Sequence, residues 1–462
     1  MRIDLPSVLQ DAAYLARLLQ ADISRDPIPP IWGIATDSRE VQKGDLFVAL
    51  AGNHTDGARF LENARAAGAV AALVRKGILF DGMPLLCVAD PVTALLRAAG
   101  EYRRRQGALV IAVSGSTGKT TVKEALATVL SGTGRVEKSQ GNFNSRIGMP
   151  LSILSMQEAD HWVLELGINH CGEMAEMARV AAPNLAILTN VGTAHIGNFG
   201  SYAALLSEKA QIAVSLQENG ILLIPAALPL EGFPCACRMI HRVGKGGDFY
   251  LENIRYSEWG TTGDLIAPDR VITNLAWPIA GGAGAAVLET VGAAAILLGL
   301  DEERIRTGLF EAGERTPRCS RIRVGKRLLI DDTYNASPEA VVTAIEGLVL
   351  IAAGHPAVAV LGDMLELGKY SAMLHRTVGR AVARSGVEQL FTYGKAALDI
   401  AKGAEDAGLS RNAIFIFDEG EQSALCEALC RTLPQDAAVL FKASGRMGLD
   451  RILSEVRRRI SL

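Results

Sequence analysis

The chain has 462 residues, of which 49% are hydrophobic and 21% are charged, and its formal net charge is −3. This length is too great for one ordinary hydrophobic core and predicts about three domains of a well-packed globular protein. Because the charge is nearly balanced, no basic surface is available for nucleic acid or an anionic membrane, and we expect neither as a partner.

The cysteines and the N-terminus indicate the compartment. Seven cysteines are scattered along the chain without the spacing of a metal site, which is typical of reduced thiols. The first ten residues contain no apolar signal core, and the longest apolar runs are too short to span a bilayer comfortably. We therefore expect a cytoplasmic protein without membrane insertion, and we take a monomer as its state.

Residues 1–84 are predicted to form a small α/β unit at the start of the chain. Strands are predicted at 44–50 and 69–74, and the segment between them has helical spacing. Residues 90–105 are predicted to be a helix that leads into the next unit.

Residues 85–318 are predicted to form a central α/β unit in which strands and helices alternate. The predicted strands cover residues 108–114, 162–167, 185–192 and 220–225, and the predicted helices cover 119–131, 202–216 and 285–299. This order is typical of a mostly parallel sheet with crossover helices. Residues 245–280 look like a β-rich insertion before the last of these helices.

Residues 319–462 are predicted to form a third, Rossmann-like unit. Its strand candidates cover residues 327–334, 357–364, 389–394, 413–417 and 437–444, each separated by a helical stretch. No GxGxxG motif opens its first strand, so a dinucleotide is not its expected ligand. The fold class predicted for the whole chain is therefore α/β with three domains.

The most informative motif is IAVSGSTGKTTVKE at residues 111–124, where a buried strand turns into a helix. Small residues let backbone N–H groups surround phosphate oxygens, and the helix N-terminus adds partial positive charge. Lys119 would reach the β- and γ-phosphates, and the Thr120 hydroxyl would bind Mg²⁺. Val113 stands where the common pattern has its outermost glycine, so this is a variant loop. The predicted nucleotide-binding residues are Gly115, Ser116, Thr117, Gly118, Lys119, Thr120 and Thr121.

Polar residues follow the neighbouring strands of the predicted sheet. Glu165 ends a strand beside the loop, where a Mg²⁺-binding acid belongs. His195 follows the next strand among small residues, which favours a metal or phosphate role. Asn142 and Asn144 lie at a strand–helix corner, either as ligand-facing amides or as ordinary Asx turns.

Three further residues are candidates for the same site. Lys209 lies on the predicted helix 202–216 and could equally be a solvated surface lysine. Asp332 and Tyr334 follow the first strand of the third unit, where they would meet a ribose and a base bound by the central unit.

Together these segments resemble the Mur ligase family, whose phosphate loop also lacks the outermost glycine. The motifs are SGSTGKTT, ELGINHCGEM, TNVGTAHIGNFGS, LIDDTYNASP and VLGDMLELG, and the N-terminal stretch TDSREVQKGDLFVALAGNHTDGARF resembles the family's UDP-binding unit. The resemblance covers nearly the whole chain. It implies a UDP-sugar-binding first unit, an ATP-binding central unit and a third unit that binds an incoming dipeptide.

The resemblance implies an ATP-dependent amide ligase of peptidoglycan precursor synthesis. Such an enzyme joins D-alanyl-D-alanine to UDP-N-acetylmuramoyl-tripeptide through an acyl phosphate. It implies one Mg²⁺ on Thr120 and Glu165, a second on His195, and a carbamylated lysine at Lys209. Arg318 would lie near the γ-phosphate, and Lys119 would bind the ATP phosphates.

The remaining roles that the resemblance implies concern substrate binding. Asp332 would hold the ribose and Tyr334 the nucleotide edge, and the residues expected to meet the UDP-sugar peptide or the dipeptide are Ser38, Arg39, Asn142, Asn144 and Ser444.

The chain also departs from the family pattern. Gly284 and Leu288 stand where the family has His and Asn on the helix before the third unit, and Gly445 replaces an Arg near the C-terminus. Two other functions therefore stay open: a related ligase that adds a different amino acid, and a paralogue that binds nucleotide or UDP-sugar without ligating.

Overall fold

The computed structural model describes residues 1–25, 27–52, 55–229, 233–234, 236–316 and 319–460. Within these residues, three six-stranded sheets and one three-stranded sheet follow one another along the chain, each associated with helices. The predicted α/β class is confirmed. No helix in the described ranges is both long enough and apolar enough to cross a membrane.

The first sheet has the strand order β1-β3-β4-β5-β6-β2, with four central parallel strands and an antiparallel strand at each edge. Leu46 packs with the first and third helices and Phe47 with the second, so the strand is buried on both faces. Its last parallel strand lies beyond residue 84. The elements are β1 (Arg2–Asp4), α1 (Ala12–Leu19), β2 (Asp22–Ile23), β3 (Gly33–Ala35), β4 (Asp45–Val48), α2 (Leu61–Ala67), β5 (Ala71–Arg75), β6 (Leu85–Val88) and α3 (Pro91–Arg104).

The second sheet is entirely parallel, with the order β12-β11-β10-β7-β9-β8. Ile111 and Val110, neighbours on its central strand, belong to different core clusters, because helices cover both faces; such strands are near-continuous apolar runs. The elements are β7 (Leu109–Ser114), α4 (Lys119–Leu130), β8 (Val136–Lys138), α5 (Gly148–Ser155), β9 (His161–Glu165), α6 (Glu173–Ala181), β10 (Leu185–Leu188), α7 (Ile196–Phe199), α8 (Tyr202–Ala210), β11 (Ile221–Pro225) and β12 (Met239–Val243).

An antiparallel sheet and two helices complete the central part of the chain. The elements are β13 (Tyr250–Ser257), β14 (Gly260–Ile266), β15 (Val271–Trp277), α9 (Gly282–Leu297) and α10 (Glu302–Glu314). The predicted β-rich insertion is confirmed. The helix predicted at 202–216 is too long, because α8 ends at Ala210 and tightens into a 3₁₀ turn over Gln211–Ala213, a common way to finish a helix.

The fourth sheet has the order β16-β17-β21-β18-β19-β20, parallel except for its antiparallel edge pair β16 and β17. The elements are β16 (Ser320–Val324), β17 (Arg327–Asp331), α11 (Pro338–Ala352), β18 (Ala357–Gly362), α12 (Ser371–Ser385), β19 (Gln389–Tyr393), α13 (Leu398–Asp406), β20 (Ile414–Phe417), α14 (Gln422–Thr432), β21 (Ala438–Lys442) and α15 (Leu449–Ile460).

The second and fourth sheets direct the carboxyl ends of their strands at a common cleft. Gly115, Glu165 and Thr189 reach it from the second sheet, and Asp332 and Lys442 reach it from the fourth. The cleft lies where ligands bind in open parallel sheets.

Candidate active site

The cleft has a volume of about 660 Å³ and brings together most of the residues that the sequence singled out. The predicted residues that line it are Gly115, Ser116, Thr117, Gly118, Lys119, Thr120, Thr121, Asn142, Asn144, Glu165, His195, Lys209, Asp332 and Tyr334. They are separated by more than two hundred residues along the chain, so the fold is what gathers them.

The phosphate loop between β7 and α4 depends on two glycines with positive φ. Gly115 has φ 150° and Gly118 has φ 79°, and a Cβ on Gly115 would overlap the Thr189 hydroxyl. Gly118 is the N-cap of α4. Because the first N–H groups of a helix have no intrahelical acceptor, the start of α4 is suited to binding an anion. Lys119 Nζ lies against the loop, donating to the Gly115 carbonyl at 2.8 Å.

Asn190 holds the phosphate loop through its side chain, and no motif in the sequence indicates this role. Its Oδ1 accepts hydrogen bonds from the N–H groups of Ser116 and Thr117 at 3.0 and 2.9 Å. Thr189 Oγ1 donates to the Thr117 carbonyl at 2.6 Å. The loop is therefore fixed by the end of the adjacent strand β10.

Glu165 ends strand β9 with its side chain buried. One carboxylate oxygen accepts a hydrogen bond from Asn144 Nδ2 at 2.6 Å. The other, Oε2, is buried and has no hydrogen-bond partner among the described residues. A buried carboxylate oxygen without a hydrogen-bond donor is stabilised by a nearby cation, which here is Lys123 Nζ at 3.8 Å, and it remains available to a metal ion,. The donor set thus fits Mg²⁺, which takes one or two carboxylates together with phosphate oxygens.

Lys123 lies one turn into α4, next to the Glu165 carboxylate, and it was not among the residues predicted from the sequence. It is fully buried. Its Nζ donates to the carbonyl of Ser139 at 2.7 Å and lies 3.8 Å from Glu165 Oε2. Because Ser139 Oγ also accepts from the Glu165 N–H at 3.0 Å, Lys123 ties the strand end to the segment that leads to Asn142 and Asn144.

His195 adopts a left-handed backbone conformation with φ 63° at the start of the short helix α7. Its Nδ1 is in contact with the carboxylate of Glu366, which comes from the loop after β18. Burial lowers the pKa of His195, and the nearby Lys119 and Lys209 lower it further, although Glu366 opposes this. The ring is therefore neutral near pH 7.

Lys209 is buried, with 3% of its surface exposed, so the alternative of a solvated surface lysine is wrong. Desolvation, with a further contribution from Lys119, lowers the pKa of Lys209 from 10.5 to about 7. The neighbouring Glu208 raises it, but both Glu208 oxygens accept hydrogen bonds from the start of α6, at Gly172 and Met174. A large fraction of the Lys209 amine is therefore neutral at pH 7, as a nucleophilic lysine requires.

Asp332 and Tyr334 enter the cleft from the fourth sheet. Asp332 forms an ion pair with Lys442, which is itself buried and also donates to the Asn335 carbonyl at 2.9 Å. Tyr334 is 55% exposed. The Asp332 carboxylate is thus an acceptor on the side of the cleft formed by the fourth sheet, where it suits a ligand that carries a hydroxyl group.

Three predicted site residues, Ser38, Arg39 and Ser444, do not line this cleft. Ser38 and Arg39 lie in the first unit, where Arg39 is exposed and pairs with Asp37 at 2.6 Å. Ser444 is buried and its hydroxyl oxygen accepts a hydrogen bond from the Leu365 N–H at 2.9 Å, and its expected contact with a substrate stays a prediction. Arg318 lies outside the described residues.

The residues where the chain departs from the family pattern on α9 face away from the cleft. Gly284 packs under β14, where a Cβ would overlap the Ile279 carbonyl, and Leu288 is fully buried. The residues of α9 that line the cleft are instead Gly282, Ala283, Ala286, Val287 and Thr290. Gly284 and Leu288 therefore lie on the side of the helix that packs into the core.

The residues expected to bind metal do not form a closed cage. Within the described ranges, no group of three or more His, Cys, Asp or Glu side chains is arranged to hold a metal ion by itself. This is expected for Mg²⁺, which keeps several non-protein ligands.

A phosphate loop and a buried acid at the mouth of a parallel sheet, facing a second α/β unit, define a nucleotide-dependent transferase or ligase. Three family models match this chain: the Mur ligase family catalytic domain over residues 30–85, the Mur ligase middle domain over 113–297, and the Mur ligase glutamate ligase domain over 317–445. The chain belongs to the Mur ligase family.

Within this family, the chain is similar to individual relatives over nearly its whole length. The chain is 32% identical to the UDP-N-acetylmuramoyl-tripeptide–D-alanyl-D-alanine ligase of Bacillus subtilis (strain 168), over 92% of this chain and 93% of the relative. The crystal structure I of MurF from Acinetobacter baumannii superposes with a TM-score of 0.87 at 28% identity, covering 97% and 98% of the two chains. MurF ligase from Thermotoga maritima, solved in complex with ADP, gives 0.80 at 28% identity, covering 92% and 97%.

Proposed function

We propose that this protein is an ATP-dependent ligase that joins D-alanyl-D-alanine to UDP-N-acetylmuramoyl-tripeptide in the synthesis of peptidoglycan precursors. The observation that carries the proposal is the single cleft in which the phosphate loop, Glu165 and Lys209 face Asp332 and Tyr334. The Bacillus subtilis relative is named as a ligase of this specificity, and its similarity to this chain extends over nearly the whole length of both.

The reaction proposed proceeds in two steps. The terminal carboxylate of the tripeptide attacks the γ-phosphorus of ATP, an O–P bond forms, and ADP leaves. The amine of D-alanyl-D-alanine then attacks the acyl carbon, loses a proton, and forms the amide while inorganic phosphate leaves. Both partners of the first step are anions, so catalysis depends mainly on positioning and charge neutralisation.

The residues that neutralise this charge lie around the phosphate loop. Lys119 binds the β- and γ-phosphates together with the first N–H groups of α4. Thr120 and Glu165 would hold one Mg²⁺, and His195 would hold a second, which supplies positive charge to the transferred phosphoryl group when bound. Arg318 is proposed to approach the γ-phosphate from the linker before β16.

Lys209 is proposed to become carbamylated. Its neutral amine adds to CO₂, a C–N bond forms, one proton is lost, and the product is an anionic carbamate. The lowered pKa of the buried amine supports this step, because only the neutral form is nucleophilic,. An anionic oxygen ligand beside the His195 loop would complement a divalent cation.

The other substrates are assigned to the surrounding units. Ser38 and Arg39 are proposed to contact the UDP moiety, and Asn142 and Asn144 to border the space between ATP and the muramoyl peptide. Asp332 is proposed to bind the ribose and Tyr334 the nucleotide edge, and Ser444 is proposed to contact a bound substrate.

The organisation proposed is a UDP-sugar-binding domain, predicted at 1–84 and extended by strand β6 to Val88, then an ATP-binding domain up to residue 318 and a dipeptide-binding domain at 319–462. We also propose a cytoplasmic monomer without nucleic-acid partners.

A phosphate-release assay tests the function and separates the alternatives. The purified chain is supplied with ATP, Mg²⁺ and UDP-N-acetylmuramoyl-tripeptide, and then with D-alanyl-D-alanine or with single amino acids. Phosphate release that requires D-alanyl-D-alanine supports the proposal. Release with another amino acid identifies a ligase of different specificity, and no release with any acceptor identifies a binding protein that does not ligate.

A further inference from the structure

The loop that contains His195 is held from two sides by the third unit, which contains the fourth sheet and is called the C-terminal unit below. On one side, Glu339 at the start of α11 accepts a hydrogen bond from the Thr193 N–H at 2.7 Å. On the other side, the Glu366 carboxylate contacts His195 Nδ1, and the Glu366 carbonyl accepts from the Gly197 N–H at 3.1 Å. The orientation of the His195 loop therefore depends on residues from a different unit.

The contact between these two loops is close enough to require glycine on both sides. A Cβ on Gly197 would lie 2.7 Å from the Gly368 nitrogen and 2.8 Å from the Glu366 carbonyl oxygen. Tyr370 adds a hydrogen bond from its hydroxyl to the Gly200 carbonyl at 2.7 Å. Such backbone-to-backbone packing fixes the relative position of the loops more tightly than contacts between long side chains would.

Glu366 is itself held in place by buried polar groups. The Met364 N–H donates to His375 Nε2 at 3.0 Å, and the Leu365 N–H donates to Ser444 Oγ at 2.9 Å. His375 is fully buried, and its Nδ1 is bonded to the Ser371 carbonyl at 2.8 Å. Glu366 has φ 65°, an uncommon conformation for a non-glycine residue,. The carboxylate is therefore presented by a rigid loop.

A carboxylate that accepts a hydrogen bond from one ring nitrogen of a histidine fixes its tautomer and orients the other nitrogen toward its ligand. We propose that Glu366 is a positioning residue that holds His195 in the Nδ1–H tautomer and presents its Nε2 to the cleft when the C-terminal unit is docked. This rests on the proposed function, in which His195 binds a metal ion. The contact between Glu366 and His195 thereby couples the phosphate-binding site to the third unit, which is proposed to bind the dipeptide. ATP is then not activated before the third unit is in place.

The test measures the His195 tautomer directly, in the full-length protein without ligands. Ring nitrogen shifts are recorded by NMR on histidine-labelled protein, and His195→Gln assigns the His195 signals. We compare the wild type with Glu366→Ala and with the control Glu405→Ala, an exposed carboxylate on α13 of the same unit. The wild type and the control should show the Nδ1–H tautomer, and Glu366→Ala should shift toward Nε2–H.

Two further readouts accompany the tautomer. Hydrogen exchange of residues 193–200 should become several-fold faster in Glu366→Ala and unchanged in Glu405→Ala. In the ligase assay, kcat should fall about 10–100-fold, as for other outer carboxylates of metal-binding histidines, while the KM for the UDP substrate stays constant. If Glu366→Ala does not fold, Glu366→Gln keeps the shape of the side chain, and its tautomer distribution should be intermediate.

The outcomes separate this proposal from the proposed function. An Nε2–H tautomer in the wild type, or a tautomer that does not change when Glu366 is replaced, overturns the role of Glu366 even if the protein is an active ligase. A tautomer shift in a protein that releases no phosphate leaves the role of Glu366 intact and removes the proposed function instead.

Discussion

Replacing Lys209 by methionine is expected to stabilise the ligand-free protein at neutral and acidic pH. The buried amine has its pKa lowered from 10.5 to about 7, chiefly by desolvation and next by Lys119. At about 1.4 kcal/mol per pKa unit, this difference corresponds to roughly 5 kcal/mol of unfavourable free energy when Lys209 is charged in the folded state,. Methionine has a similar length and no charge, so it removes this cost.

The sign of the pH dependence follows from proton binding. Between about pH 7 and 10.5 the unfolded chain keeps the Lys209 proton and the folded chain has released it. The wild type should therefore gain about 1.4 kcal/mol of stability per pH unit from this group as the pH rises through that window. The full penalty is present below pH 7, and the Lys209→Met variant lacks this dependence.

The assay is urea unfolding in carbonate-free, metal-free buffer between about pH 6.5 and 9.5, conditions that keep the lysine unmodified and span most of the window. Because separate units can unfold separately, the signal comes from the buried Trp162 and Trp277 of the central unit, in a background where the exposed Trp32 and Trp259 are replaced by Phe. The exposed Lys326→Met serves as the control. A constant difference between Lys209→Met and the wild type across this range would refute the reasoning.

Three further predictions follow from the same site. Lys209→Ala should abolish ligase activity with partial rescue by added short carboxylates, and full activity would mean that the lysine has no role. Glu165→Gln should lower kcat by about 100-fold or more, because a neutral amide holds Mg²⁺ less well and the positive charge that this ion supplies to the transition state is lost; unchanged Mg²⁺-dependent phosphate release would contradict this. Lys123→Met leaves Glu165 and the Ser139 carbonyl without their buried partner and should lower the free energy of unfolding by about 3–5 kcal/mol, measured by urea unfolding with the exposed Lys326→Met as the control.

The local chemistry of the site could be predicted from the sequence. The glycine and Lys-Thr spacing of the phosphate loop is set by neighbouring residues, so the cradle at Gly115 to Thr121 needs no tertiary information. Because the carboxyl ends of parallel strands lie at the same edge of a sheet, Glu165 and His195 are then predicted to lie beside this loop. Both line the cleft with the loop.

The supporting residues could not be predicted, because their roles depend on contacts between distant segments. Asn190 binds the phosphate loop from 73 residues away, and Glu366 reaches His195 from 171 residues away. Lys123 looks like one more charged residue of an amphipathic helix. Nothing in the sequence says that its amine is directed into the core.

The burial of individual side chains also could not be predicted from the sequence. Helical spacing around Lys209 is compatible with a surface or a buried position, and only the packing of α8 decides between them. Ser444 follows a strand of the fourth sheet, and the sequence could not predict that its hydroxyl oxygen accepts a hydrogen bond from the Leu365 N–H. The roles of Ser38 and Arg39 stay predictions.

The acyl phosphate is the central chemical claim, and transfer of a heavy oxygen isotope tests it most directly. UDP-N-acetylmuramoyl-tripeptide is labelled in its terminal carboxylate and incubated with the protein, ATP, Mg²⁺ and D-alanyl-D-alanine, and the released phosphate is weighed by mass spectrometry. We predict that each phosphate carries one oxygen atom from the carboxylate, in step with amide formation. Unlabelled phosphate accompanying the amide would contradict phosphorylation of the carboxylate in this cleft.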